Sequence, residues 1–199
     1  MIKKNKEKAY SVAAIVIIID QIIKFVISNK MSLEQEIEVI PKFFSLYYVK
    51  NTGAAFSILQ NQRVLLIIVS LVFLYFIDRF IEREKDLNKL SIISLGFIIG
   101  GIIGNLIDRL IQDGVIDYLS FQFGKYLFPI FNIADSFIIV GIVLLIIGII
   151  KEEKEHKLRK IPIKERLSDQ VEIIKVDKTK KKKVTKNDNS KKRNTRKTR

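Results

Sequence analysis

Residues 131–150 read FNIADSFIIVGIVLLIIGII, and after its first few residues the stretch is apolar enough to cross a bilayer. A helix needs about 20 mainly apolar residues to span the hydrocarbon core. An ionised carboxylate inside such a span is costly unless something holds it. Asp135 nevertheless stands within the first turns of the stretch, and Asp117 lies among apolar residues in VIDYLSF (115–121). The two carboxylates require a common explanation.

Working outward, three more stretches have the same character: Tyr10–Ile27, Val64–Ile81 and Leu90–Ile107, which join Ile133–Ile150. The first follows a basic start, MIKKNKEK. Its apolar part is long and carries Asp20 and Lys24, and SNKMSLEQE (28–36) offers no small-residue cleavage site, so it reads as a retained span rather than a signal peptide. The expected fold is an all-α membrane protein, a four-transmembrane-helix bundle. Gly96, Gly100 and Gly104 recur at intervals of four on the third span, a small-residue stripe that lets a neighbouring helix approach closely. Packing is the preferred reading over a hinge.

The segments EIEVIPKFFSLYYVKNTGAAFSIL (36–59) and VIDYLSFQFGKYLFPIF (115–131) are rich in β-branched and aromatic residues, with KNTG as a turn signal. Short strands are predicted there. Tyr47, Tyr48, Tyr118, Phe121, Phe123 and Tyr126 suit the headgroup layer; they serve equally as a platform for a membrane-bound substrate.

Of the 199 residues, 1–150 hold 15 Lys and Arg against 13 Asp and Glu, whereas 151–199 hold 20 against 8. This divides the chain into a membrane domain, 1–150, and a basic tail, 151–199. The tail is low in apolar residues and dominated by like charge, so disorder is expected. With the N-terminus inside, the inner segments carry 28 Lys and Arg and the outer ones six. That asymmetry predicts cytoplasmic termini. The favoured partner of the tail is anionic inner-leaflet lipid, with nucleic acid or the ribosome as the alternative.

By this topology Asp20, Gln21, Lys24, Asn105, Asp108, Arg109, Asn132 and Asp135 gather toward the outer leaflet, with Asp117 in the outer segment. Each has an ordinary reading. Asp20 and Lys24 make a favourable i, i+4 ion pair, Asp108 and Arg109 mark a helix end, Asn132 or Asp135 caps the fourth helix, and Asp117 is a loop acid in water. None of these explains the whole set.

The inventory narrows the chemistry. There is no Cys, and the single His, His156, is in the tail. This removes thiolate nucleophiles, His-based metal sites and a Ser–His pair; no metal or cofactor is expected. A Ser–Lys pair through Lys24 is conceivable, but no serine stands in a recognisable nucleophile context. Two aspartates brought within about 3 Å remain, since such a pair shares one proton and is acid and base at once. Two other classes compete. A transporter could use Asp20, Asp117 and Asp135 as an ion path, although neither repeats nor broken helices are visible; a membrane anchor could act through its tail, which leaves the outer polar set unexplained.

DQIIK (20–24), NTGAAFS (51–57), GGIIGNLIDR (100–109), GVIDYL (114–119) and FNIADS (131–136) occur in the order seen in the lipoprotein signal peptidases, or signal peptidase II, which residues 10–150 resemble. The resemblance implies an aspartic endopeptidase of the bacterial cytoplasmic membrane. It would remove signal peptides from prolipoproteins, cutting before a cysteine that carries diacylglycerol. Asp117 and Asp135 would be the catalytic dyad, at the extracytoplasmic face. Asn51, Gly53, Asn105, Arg109 and Asn132 would line the site, with Asp20 and Lys24 as a supporting pair. Two departures stand out: no Trp occurs where the family often has one, as in FPIFN, and the tail is longer than most members carry.

Overall fold

The computed structural model describes residues 2–53, 58–84 and 87–160. Residues 54–57 of the NTGAAFS block and residues 161–199, most of the tail expected to be disordered, lie outside the described residues. Residues 1–150 form one compact unit, to which bundle and sheet belong. The helices are α1 (Ile2–Lys30), α2 (Arg63–Arg83), α3 (Lys89–Ile111) and α4 (Ile133–Lys160), and the strands are β1 (Glu36–Ile40), β2 (Phe44–Asn51), β3 (Val115–Phe123) and β4 (Tyr126–Leu127). All four helices are long and apolar enough to cross a membrane. α1 and α4 overrun the spans expected from hydropathy. Apolar composition marks only the part that can sit in lipid, and the backbone ladder continues through polar turns beyond it.

α3 is the hub. Of its apolar stretch 67% is buried inside the protein, against 28% for α1, 17% for α4 and 11% for α2. Its glycines explain this. A Cβ on Gly96 would stand 2.6 Å from Val12 Cβ, and one on Gly100 would stand 2.6 Å from Val16 Cβ and 2.9 Å from the Ala13 carbonyl. The contacts advance together along both helices, so α1 and α3 run parallel at backbone contact. On another face Gly101 meets the Ala134 carbonyl, while Gly141 and Gly148 of α4 meet Ser94 and Ser91. That order makes α4 antiparallel to α3.

Polar contacts fasten the helix ends. Asn88 caps α3 by accepting from Ser91 N at 2.8 Å, and its own amide reaches the Gly148 carbonyl. Lys6 bridges Asp78 and Glu82 at 2.7 and 2.6 Å, tying α1 to α2. Arg63 at the start of α2 donates to the carbonyls of Arg109 and Leu110, the last turn of α3.

The strands form one antiparallel sheet in the order β1-β2-β3-β4. Leu46 pairs with Leu119 but Val49 with Asp117, so β2 carries one extra residue, a bulge, opposite Tyr118. Bulges bend a strand and re-aim its side chains. Here Tyr48 and Tyr118 are buried with Ile27, Met31 and Ile116 in a core beneath the sheet. The expectation that all six aromatics belong to the headgroup layer is therefore corrected for these two: their rings close the junction between α1 and the sheet. Phe123 and Tyr126 remain exposed.

Gly100→Ala is expected to destabilise the bundle by about 1–3 kcal/mol, because the added methyl must displace Val16 or the Ala13 backbone. Leu71→Ala on the exposed face of α2 serves as the control. Thermal unfolding of both variants in detergent checks this, and equal melting temperatures would contradict the backbone-contact reading.

Candidate active site

The start of α4 closes a reciprocal cap. Asn132 Oδ1 accepts from Asp135 N, and Asp135 Oδ2 accepts from Asn132 N, both at 3.1 Å. This is the capping-box arrangement, with the acid three residues after the cap. Of the two residues that the ordinary reading offered as the cap, Asn132 takes that position and Asp135 closes the box from the third helical residue, which fixes both side chains. Asn132 Nδ2 then points across to Asp117 Oδ1 at 2.8 Å. Asp135 Oδ1 faces α3, where Asn105 Nδ2 donates to it at 2.8 Å.

Asp117 arrives from β3. Its neighbour Val49 and, two positions along, Asn51 lie on the same sheet face. Asn51 Nδ2 donates to Asp117 Oδ2 at 2.9 Å, while its carbonyl oxygen accepts from Gly53 N. Among the described residues, every oxygen of the two carboxylates therefore accepts one N–H, three of the four from asparagine side chains. A carboxylate offers about four lone-pair sites, so about half remain for water or substrate. Asp117 is buried at 2% exposure and Asp135 is half-buried. Burial, and then the neighbouring Asp135 charge, push the Asp117 carboxyl up to about 7.

Behind the amides lies a charged cluster. Lys24 Nζ contacts Asp20 Oδ2 at 2.9 Å, Asp108 Oδ2 at 2.8 Å and Asn105 Oδ1 at 2.9 Å. An ammonium only donates. It therefore forces the oxygen of Asn105 toward α1 and its NH₂ toward Asp135. Arg109 takes another position, donating to the Gly53 carbonyl at 3.2 Å. All nine residues singled out in the sequence thus join one hydrogen-bonded set, with Asp20 at its back, linked to Asp135 through Lys24 and Asn105.

Two members were not counted among the site residues. Asp108 is 2% exposed and accepts from Ile116 N at 3.1 Å besides holding Lys24, so it locks β3 to α3 rather than marking a helix end at an interface. Gln21 donates to Asp20, Asp108 and the Gly104 carbonyl. The available signal was spacing: Asp108 continues the glycine stripe by one further step of four.

Fold and site together define a multi-pass membrane protein with a buried centre of carboxylates and amides at the sheet-bearing end of its bundle. The sequence model of the Signal peptidase (SPase) II family matches residues 12–151. Lipoprotein signal peptidases from Shouchella clausii and Halothermothrix orenii are 40% and 39% identical, covering 75% and 73% of this chain and 97% of each relative. One from Symbiobacterium thermophilum is 38% identical over 72% of this chain and 94% of its own length. A bacterial membrane enzyme solved by the in meso method at 2.3 Å superposes with a TM-score of 0.70 at 30% identity, covering 77% of this chain and 94% of that one. A second, at 1.9 Å, gives 0.65 at 32% identity over 72% and 92%. The chain belongs to the signal peptidase II family and is a protease.

Lys24→Met would leave Asp20 and Asp108 buried without their shared cation. Breaking a buried ion pair from one side costs about 3–5 kcal/mol. The expected result is a large fall in melting temperature, partly restored by adding Asp20→Asn. A single variant as stable as wild type would show that the cluster carries no such constraint.

Proposed function

We propose that the protein removes signal peptides from bacterial prolipoproteins at the membrane, cutting on the N-terminal side of a diacylglyceryl-modified cysteine, with Asp117 and Asp135 as the catalytic pair. The observation that carries this reading is the set of four N–H donors, one per carboxylate oxygen, in a chain of this family. Neutral amides orient two acids without forcing both to ionise, as an adjacent cation would. Asp117, raised to about 7, holds the shared proton and hydrogen-bonds the scissile carbonyl oxygen. Asp135 takes a proton from water as the oxygen attacks. The tetrahedral diol collapses when the amine leaves with a proton returned from the pair. Asn51, Asn105 and Asn132 orient the carboxylates, Arg109 and Gly53 line the approach, and Asp20 and Lys24 fix Asn105 from behind.

In this reading the termini are cytoplasmic and the site lies at the extracytoplasmic face, where acyl chains hold the substrate at membrane depth. Residues 1–150 are the peptidase domain. The tail from 151 acts on the cytoplasmic side, through anionic lipid in preference to nucleic acid or the ribosome.

Asp117→Asn and Asp135→Asn are each expected to lower turnover of a purified diacylated prolipoprotein by at least about a hundredfold, the range lost with an acid–base group, while both variants still fold in the membrane. Near wild-type turnover in either removes that residue from the pair. A substrate with its cysteine unmodified is the companion control, and efficient cleavage of it would refute lipid recognition.

A pH profile gives a separate check. The proton on Asp117 is lost as pH rises through about 7, so kcat/KM is expected to fall above that value. A profile flat from pH 6 to 9 would contradict the assignment of the shared proton.

A further inference from the structure

At the end of the bundle far from the carboxylates, α1 and α3 leave a groove of about 490 Å³ between them. Lys4, Lys8 and Val12 line it from α1 at steps of four, one helix face; Lys89, Ile92 and Ile93 line it from α3. Lys89 precedes Asn105 by 16 residues, about 24 Å along the helix. The charges and the apolar side chains are sorted along the groove. Lys4 and Lys89 stand near the starts of their helices, whereas Val12 lies about 12 Å deeper than Lys4.

None of these three lysines has an ion-pair partner among the described residues. Lys6, on another side of the same helix, is tied to both Asp78 and Glu82. Among the described residues lining the groove, Glu7 is the one that offers opposite charge. The net positive charge and the apolar floor are complementary to one class of molecule, an anion with a hydrocarbon body.

We propose that this groove binds an anionic phospholipid, its phosphate on Lys4, Lys8 and Lys89 and an acyl chain along Val12, Ile92 and Ile93. Compact ammonium groups suit a phosphate diester as point charges. A free phosphate would leave the apolar floor unused. This site is independent of which residues cleave, and it is separate from the attraction assigned to the tail.

The chain contains no Trp, so Ile93→Trp, at a position 41% exposed, makes a single local reporter in the full-length protein. In vesicles of mixed phosphatidylglycerol and phosphatidylcholine, brominated phosphatidylglycerol is expected to reach half-maximal quenching at a mole fraction about tenfold lower than brominated phosphatidylcholine, from the attraction of the net groove charge. Adding Lys4→Gln, Lys8→Gln and Lys89→Gln is expected to abolish that preference with the tail's charges intact. Equal quenching by the two lipids, or a preference that survives the triple substitution, overturns the proposal. Displacement by millimolar inorganic phosphate at constant ionic strength would assign the site to free phosphate and overturn it as well. Native mass spectrometry needs no reporter: the unlabelled chain is expected to retain one more phosphatidylglycerol than the triple variant, and equal retention refutes the site.

Discussion

The ammonium of Lys24 is the constraint on which the site depends. It sits 2% exposed inside a span, where a lone charge is not tolerated, and it is held by carboxylates from both α1 and α3. Because Asp20 comes from α1 and Asp108 from α3, the ion cluster sets the two helices in register at the height of the site. Gly104 makes this geometry accessible, since a Cβ there would fall 2.5 Å from Asp20 Oδ2. Asp108 then reaches onward to the backbone of Ile116, next to Asp117. The cluster therefore positions one front carboxylate through β3 and the other through Asn105.

A charge placed one residue back has a different effect from a charge in contact. Lys24 on either front carboxylate would pin it ionised. Acting through Asn105, it fixes orientation, while Asp20 and Asp108 offset its field. The same economy appears at the start of α4, where Asn132 and Asp135 cap the helix with one set of atoms and meet Asn105 and Asp117 with another. Structural and functional readings of these residues are not rivals, because the cap supplies the rigidity that a hydrogen-bonded carboxylate pair needs.

The sequence made the four spans legible because apolar length is a direct consequence of bilayer thickness. Their ends were less so: α1 begins at Ile2 and α4 continues to Lys160, through polar turns that no hydropathy pattern includes. The polar residues of the site were legible one by one, and their convergence came from topology. What the sequence hid was two-sided burial. Tyr118 and Asp117 are adjacent on β3 and point to opposite faces, one into the core with Tyr48 and the other to the amides. The bulge in β2 that sets this register has no mark in composition, since it depends on pairing between segments some 70 residues apart.

α3 shows how one helix can serve both membrane packing and the site. Gly96, Gly100, Gly104 and Asp108 form a stripe at steps of four against α1, and Gly101, Asn105 and Arg109 form the adjacent stripe, meeting Ala134, Asp135 and Gly53 in turn. Each stripe begins with glycine and ends with polar side chains. In the glycine part the backbones touch, and in lipid that close packing is what holds helices together. In the polar part the same closeness brings donors within 2.8–3.2 Å of their acceptors. Separating the helices by one methyl group in the first half would therefore lengthen the hydrogen bonds in the second, so the apolar packing of the bundle and the geometry of the carboxylate pair are one constraint read at two depths.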